Sequence, residues 1–346
     1  MVTVITNAHL QSTNFGNLKK YTVDNGNGYS FSCINYGASL TQLTMPDKDG
    51  KVGNIILQFD DPDTLCADKT YFFNRAIGRV GGRIKNGSFS IDGTMYHVPQ
   101  NEGKNTLHGG TNGFDGLLWE SKTVAKGIEF SRIIKSTDDG FPGDLKVTIT
   151  YKWKDDQQLV ILFKAYNDSD QPSLFNPTIH SYFNLNENPS KGLIHNELRI
   201  SANEIAETDS QLLPTGKFLP VSGTLFDFQV YKPLDVMLKK LKKSGNNGYD
   251  TPFKVERPLI ATLKNSVNGR RLDIYSEKNG LIVYTLNSVN TPEKVNNGYR
   301  LQPFMAVALE PQTLPDAINN PHFGTIVINA HQEISSEIVY KLSVEA

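Results

Sequence analysis

The chain has 346 residues, 38% of them hydrophobic and 21% charged, enough to bury a sizeable core in one large β domain or two ordinary ones. Its formal net charge is −1, and its one block of like charge is Lys239, Lys240, Lys242 and Lys243. That balance gives no electrostatic footprint for nucleic acid or an anionic membrane, and no apolar run approaches the ~20 residues of a membrane span.

The chain opens on MVTVITNAHLQSTNFG, where no basic stretch precedes an apolar one. No secretory leader is therefore expected, and the cytoplasm is the default location. The two cysteines, Cys33 and Cys66, lean mildly toward a reducing compartment. Short strand-like runs follow at residues 29–35 and 88–91, the second flanked by the turn pairs Asn86-Gly87 and Asp92-Gly93. From 145 to 153 the odd positions (Leu145, Val147, Ile149, Tyr151, Trp153) are apolar or aromatic and the even ones polar. This spacing predicts a strand with one dry face. Asp155, Asp156, Gln157 and Gln158 supply a turn, and residues 159–166 return as a more buried strand, so the pair reads as a hairpin.

Further runs lie at 197–202, 260–263, 271–275, 281–286 and 304–309. Helical periodicity is scarce. Residues 233–243 are the one good candidate, with Pro233 near the start and the four lysines on the wet face. Many short strands without alternating helices predict an all-β, large antiparallel sandwich. With no linker, composition shift or fixed-period repeat, residues 1–346 read as one domain, or as two packed β subdomains.

The seven histidines show no metal-ligand spacing such as HExxH, and the cysteines are not arranged as zinc ligands. A GxSxG elbow, a phosphate loop and a GxGxxG helix start are all missing, which removes the usual support for serine hydrolase and nucleotide readings.

Five segments remain unusual. Gly78-Arg79-Val80-Gly81-Gly82-Arg83-Ile84 is either backbone open to close approach or a bulged strand with arginines in surface pairs. In Asn105-Thr106-Leu107-His108-Gly109-Gly110 the histidine either faces a cleft or is a satisfied loop residue. His180, in Thr178-Ile179-His180-Ser181-Tyr182-Phe183-Asn184-Leu185, taken alone reads as a hydrogen-bonded core residue. Asp250 closes the turn Asn246-Asn247-Gly248-Tyr249-Asp250. Glu310, in Ala308-Leu309-Glu310-Pro311-Gln312, is either an exposed strand-end residue or a carboxylate leaving a dry strand with a raised pKa.

In this order the five segments resemble the galactose mutarotase (aldose 1-epimerase) family. The likeness begins at Asn35-Tyr36-Gly37-Ala38-Ser39-Leu40 and Pro46-Asp47-Lys48-Asp49-Gly50 and ends at Pro315-Asp316-Ala317. It implies a twisted antiparallel β-sandwich with its site in a cleft on one sheet. It implies a monosaccharide substrate, chiefly D-galactose with D-glucose as a further one, no metal and no organic cofactor, and a monomer or homodimer. Carried over residue by residue, Glu310 matches the general base and His180 the general acid, while Arg83, His108 and Asp250 match residues that hold the sugar. Where the family often has Asn before that arginine, this chain has Gly82, which removes a possible contact with substrate.

Changing an anomer needs a proton taken from the C1 hydroxyl and one given to the ring oxygen, so the resemblance implies an ionised Glu310 facing a protonated His180. Phe73, Tyr182 and Tyr284 are the aromatic candidates for the sugar's apolar face. An epimerase for a phosphorylated hexose would need an extra basic cluster, for which Arg75 and Arg79 are the possible members. A non-catalytic sugar-binding protein of the same fold is the rival from another class. A glycoside hydrolase would need a second carboxylate opposite Glu310.

Overall fold

The computed structural model describes residues 9–155 and 157–345. The leader reading at the extreme N-terminus and Asp156 of the hairpin turn lie outside the described residues. The large sheet has nine antiparallel strands, and the hairpin Leu145–Trp153 with Gln158–Asn167 sits in it beside the long strand Glu333–Val344. The alternation is realised: Leu145, Val147, Ile149, Tyr151 and Trp153 are buried while Lys146 is exposed. Period two puts successive side chains on opposite faces, so one row of aromatic and β-branched residues becomes core.

That core is shared with two other sheets. A five-stranded sheet, which includes Ser30–Ile34, packs Phe31 on Trp153 with ring centroids 5.5 Å apart. The Tyr151 hydroxyl donates to the Ala38 carbonyl oxygen at 2.7 Å, so the buried phenol is satisfied. On the other side, Phe183 meets Tyr340 edge-on at 5.2 Å. Burial on this scale contributes about 1.5–3 kcal/mol for each large apolar side chain. Helix Leu234–Lys243 also forms, with Pro233 at its N-cap, Leu234, Met237, Leu238 and Leu241 buried, and lysines filling its last turn. Among the described residues no helix is long and apolar enough to cross a membrane.

The six-stranded sheet positions the site. Its order is Tyr182–Phe183, Val307–Gln312, Gly280–Tyr284, Asp250–Val255, Ala202–Thr208 and Pro214–Pro220, all antiparallel. One face carries Val307, Leu309, Leu281, Val283 and Phe253 into the shared core. The alternate residues Glu310, Ile282, Tyr284, Asp250 and Pro252 therefore point the other way, and all five line one cleft. Register aligns them: Glu310 pairs with Ile282, which pairs with Pro252, and Tyr284 pairs with Asp250. The strand expected at 304–309 starts later, at Val307, because Phe304 sits in a turn at φ 61°. Glu310 is thus inside a central strand, not at its end, and Asp250 opens a strand where a turn was expected.

Candidate active site

The two glycine-rich segments build the wall opposite the sheet. Arg83–Ile84 pairs antiparallel with Thr106–Leu107, which sets His108 beside Gly82. The His108 N–H donates to the Gly82 carbonyl at 3.0 Å, and the Gly82 N–H donates to His108 Nδ1 at 3.2 Å. Because Nδ1 accepts, the neutral ring carries its proton on Nε2, a fixed donor. The next residue has to be glycine: Gly109 has φ 87°, and a Cβ there would lie 2.0 Å from the Gly78 carbonyl oxygen.

His180 lies between two short strands, donating its N–H to the Arg75 carbonyl at 3.0 Å and accepting from Asn74 N–H at 2.9 Å through its own carbonyl. Its ring stacks on Tyr182 at 4.9 Å and meets His108 edge-on at 5.5 Å. His180 Nε2 is 3.3 Å from Glu310 Oε1. Both side chains are buried, and His180 Nδ1 and Glu310 Oε2 have no hydrogen-bond partner among the described residues.

Electrostatics follows from that burial. Desolvation drives the Glu310 carboxyl well above its ordinary range; Asp250 adds to the rise and Arg83 opposes it. Desolvation pushes the His180 imidazole down to about 3. The sequence reading had an ionised carboxylate facing an imidazolium, whereas burial favours the uncharged form of each. A neutral imidazole beside a protonated carboxyl holds the same single proton, so the pair has the right proton count with the proton on the other partner. His108 is held well below the usual histidine range by burial, then by the charges of His180 and Arg83.

Asp250 is raised by burial, with Arg83 pulling it back and Glu102 pushing it further. Arg83 itself is forked onto Glu102, Nε to Oε2 at 2.6 Å and Nη2 to Oε1 at 2.7 Å. Glu102 was not singled out by the sequence, because nothing local marks it; only the pairing across the loop does. The aromatic choice also changes. Phe73 is core, packed on Phe59 and Tyr182, whereas Phe72 faces the cleft 5.0 Å from His108. The Asp68 carboxylate accepts from Thr70, Tyr71 and Phe72 N–H, each at 2.9 Å, and holds this loop with Phe72 at φ 55°.

The cleft has a volume of about 200 Å³ and brings together all five residues expected from the sequence: Glu310, His180, His108, Arg83 and Asp250. A larger groove of about 400 Å³ near Lys20, Gln58 and Tyr299 is lined by no histidine among the described residues, so its chemistry is poorer in spite of its size. His108, His180 and Glu310 also place donor atoms within 4.8 Å of one another, close enough to hold a cation. The two arginines considered for a phosphate are elsewhere. Arg79 is buried against Asp139 at 2.6 Å and the carbonyls of Pro142 and Gly143. Arg75 is buried between Asp68 and Asp115.

A family model described as aldose 1-epimerase matches residues 19–341. The chain is 34% identical to galactose mutarotase from Homo sapiens over 315 residues, which cover 90% of each chain. It is also 34% identical to maltose epimerase from Levilactobacillus brevis, across 97% of this chain and 98% of the relative. A crystal structure of an aldose epimerase homologue from C. elegans superposes with a TM-score of 0.84 at 29% identity, covering 98% of this chain and 100% of the other. The chain belongs to the aldose 1-epimerase family.

Proposed function

We propose that this protein interconverts the α and β anomers of free aldoses, chiefly D-galactose with D-glucose as a further substrate, using the whole chain as one cytoplasmic catalytic unit. The observation that carries this reading is the 3.3 Å separation of His180 Nε2 and Glu310 Oε1 in a cleft. The C1 hydroxyl and the ring oxygen sit on one carbon, so an acid and a base serving them must be close neighbours.

Glu310 takes the proton of the C1 hydroxyl while the bond from C1 to the ring oxygen breaks, its electron pair going to that oxygen. His180 gives the ring oxygen a proton, leaving an open-chain aldehyde. After rotation about C1–C2 the hydroxyl attacks the other face, His180 takes its proton back, and Glu310 returns one to O1. Nothing is consumed, and each positioned group contributes ~10²–10⁴-fold. Sugar hydroxyls donating to the carboxylate offset the desolvation that burial imposes, which favours the ionised base once substrate is bound. His108 Nε2–H, Arg83 and Asp250 supply two kinds of donor and an acceptor for the remaining hydroxyls, and Phe72 and Tyr284 offer rings to the apolar face.

Among the described residues Arg83 is the one arginine or lysine lining this cleft, and its fork is already engaged by Glu102, which favours a neutral sugar over a hexose phosphate. The volume of about 200 Å³ is below the usual range for drug-sized ligands and suits one hexose ring. The test is optical rotation of freshly dissolved α-D-galactose, α-D-glucose and maltose, with and without protein. Fast decay with galactose that survives a metal chelator is expected. Loss of activity with chelator would convert the three-donor cluster into a metal site, and no acceleration with any sugar would refute the proposal.

A further inference from the structure

Glu102 lines the cleft, yet the acid–base cycle does not use it. Its carboxylate accepts both the Nε–H and an Nη2–H of Arg83, at 2.6 and 2.7 Å. The backbone beneath it is braced. Glu102 N–H donates to the Asn105 carbonyl at 3.1 Å, and Asn105 N–H donates back at 2.9 Å. Asn105 is buried, and its side chain accepts from Asn86 N–H at 3.0 Å and donates to Gln211 Oε1 at 3.2 Å. The carboxylate is therefore presented from a hydrogen-bonded turn, with Glu102 38% exposed and Arg83 16% exposed at the side chain. A half-exposed pair of this kind adds little to stability. What it does fix is the plane of a guanidinium and its net charge.

A guanidinium has five N–H donors in a rigid fork, and a bidentate carboxylate engages one edge. Among the described residues no other hydrogen bond engages the Arg83 side chain, which leaves the Nη1 donors and the second Nη2 hydrogen on the edge away from Glu102. Arg83 shares the cleft with two other carboxyl groups, Asp250 and Glu310. Released from Glu102, the arginine would be free to swing onto either of them or to meet an anionic ligand with its whole fork.

We propose that Glu102 is a positioning and specificity-determining residue: it orients Arg83 toward the ring hydroxyls and cancels its charge, so that the cleft prefers neutral aldoses over anionic ones. This rests on the sugar-binding reading of the cleft given above. Bound this way, Arg83 acts as a hydroxyl donor and not as an anion receptor. The same side chain without its partner would be both less well aimed and more attractive to a carboxylate or phosphate on the sugar.

The experiment compares D-galactose with D-galacturonate, the same ring bearing a carboxylate at C6, in wild type, Glu102→Gln and Glu102→Ala, each also in an Arg83→Ala background. Anomer exchange is followed by optical rotation and affinity by calorimetric titration. Losing the aim of Arg83 should raise the galactose KM about five- to twenty-fold with kcat nearly constant. The galactose-to-galacturonate ratio of kcat/KM should fall about ten-fold, more in Ala than in Gln. With Arg83 already removed, changing Glu102 should do nothing further. A ratio unchanged in both variants, or an equal loss in the Arg83→Ala background, overturns the proposal. A role confined to stability would move the unfolding midpoint and leave the ratio alone. If wild type binds galactose but accelerates nothing, the epimerase reading fails, while the affinity ratio still decides the role of Glu102.

Discussion

His180 Nε2 and Glu310 Oε1 stand 3.3 Å apart, the histidine on the link between two short strands and the glutamate inside a central strand, and their other heteroatoms, Nδ1 and Oε2, are buried without partners among the described residues. Two unpaired polar atoms on a desolvated acid–base pair cost stability, and incoming sugar hydroxyls are suited to relieve that cost. The pair is therefore a place where folding is compromised for chemistry.

If this pair carries the protons, Glu310→Gln and His180→Asn should each lower kcat by ~10²–10⁴-fold. Glu310→Gln keeps size and polarity and should leave the urea midpoint nearly unchanged, whereas His180→Asn keeps a polar group but loses the ring stacked on Tyr182 and should lower the midpoint modestly. Optical rotation measures the first effect and urea denaturation the second. Near-normal turnover in Glu310→Gln would remove the carboxylate from the mechanism.

His108 gives an acid-stability prediction. Its folded-state pKa lies below the ordinary value of 6.5, so the unfolded chain binds a proton that the folded one refuses. The stability tied to this residue is complete above pH ~6.5 and is lost as pH falls, at up to about 1.4 kcal/mol per pH unit. His180 adds a slope of the same sign down to about 3. The raised carboxyls of Glu310 and Asp250 act oppositely, keeping protons that the unfolded chain gives up above pH ~4. His108→Asn, whose Oδ1 can still accept from Gly82 N–H, should show a shallower loss between pH 6.5 and 5, by about that slope. Parallel stability curves for variant and wild type would rule this out.

Gly82 stands at φ 72°, and a Cβ there would sit 3.0 Å from Pro315 Cβ. Asparagine tolerates this backbone region, so Gly82→Asn should cost no more than about 1 kcal/mol. Its amide would enter the cleft and lower the galactose KM about three- to ten-fold. Thermal unfolding and steady-state kinetics read the two effects separately, and an unchanged KM would mean the amide does not reach the sugar.

Arg79 is a structural arginine. It donates to Asp139 through Nε and Nη2 at 2.6 and 2.9 Å, and through Nη1 to the Pro142 and Gly143 carbonyls and Ser173 Oγ. Arg79→Ala strands a buried carboxylate and should cost about 3–5 kcal/mol in urea unfolding. The folded fraction should keep its KM for galactose. Intact stability with weakened binding would instead return Arg79 to the role of ligand receptor.

The sequence by itself determined the strands whose burial alternates locally. Leu145–Trp153 and Ser88–Ile91 have the bounds their letters predict, and the helix Leu234–Lys243 begins just after its proline. It also singled out the five unusual segments, and the family resemblance picked Arg83, His108, His180, Asp250 and Glu310 from them as candidates. Tertiary structure alone decided the rest. The burial that makes His180 and Glu310 favour their uncharged forms comes from elements distant in the chain, and no local pattern records it. Phe72 faces the cleft and Phe73 the core because a carboxylate, Asp68, ties the loop. Glu102 matters only through Arg83, whose strand pairs with the far end of the same loop. Periodicity is written along one segment, whereas charge state and pairing depend on what folding brings alongside it.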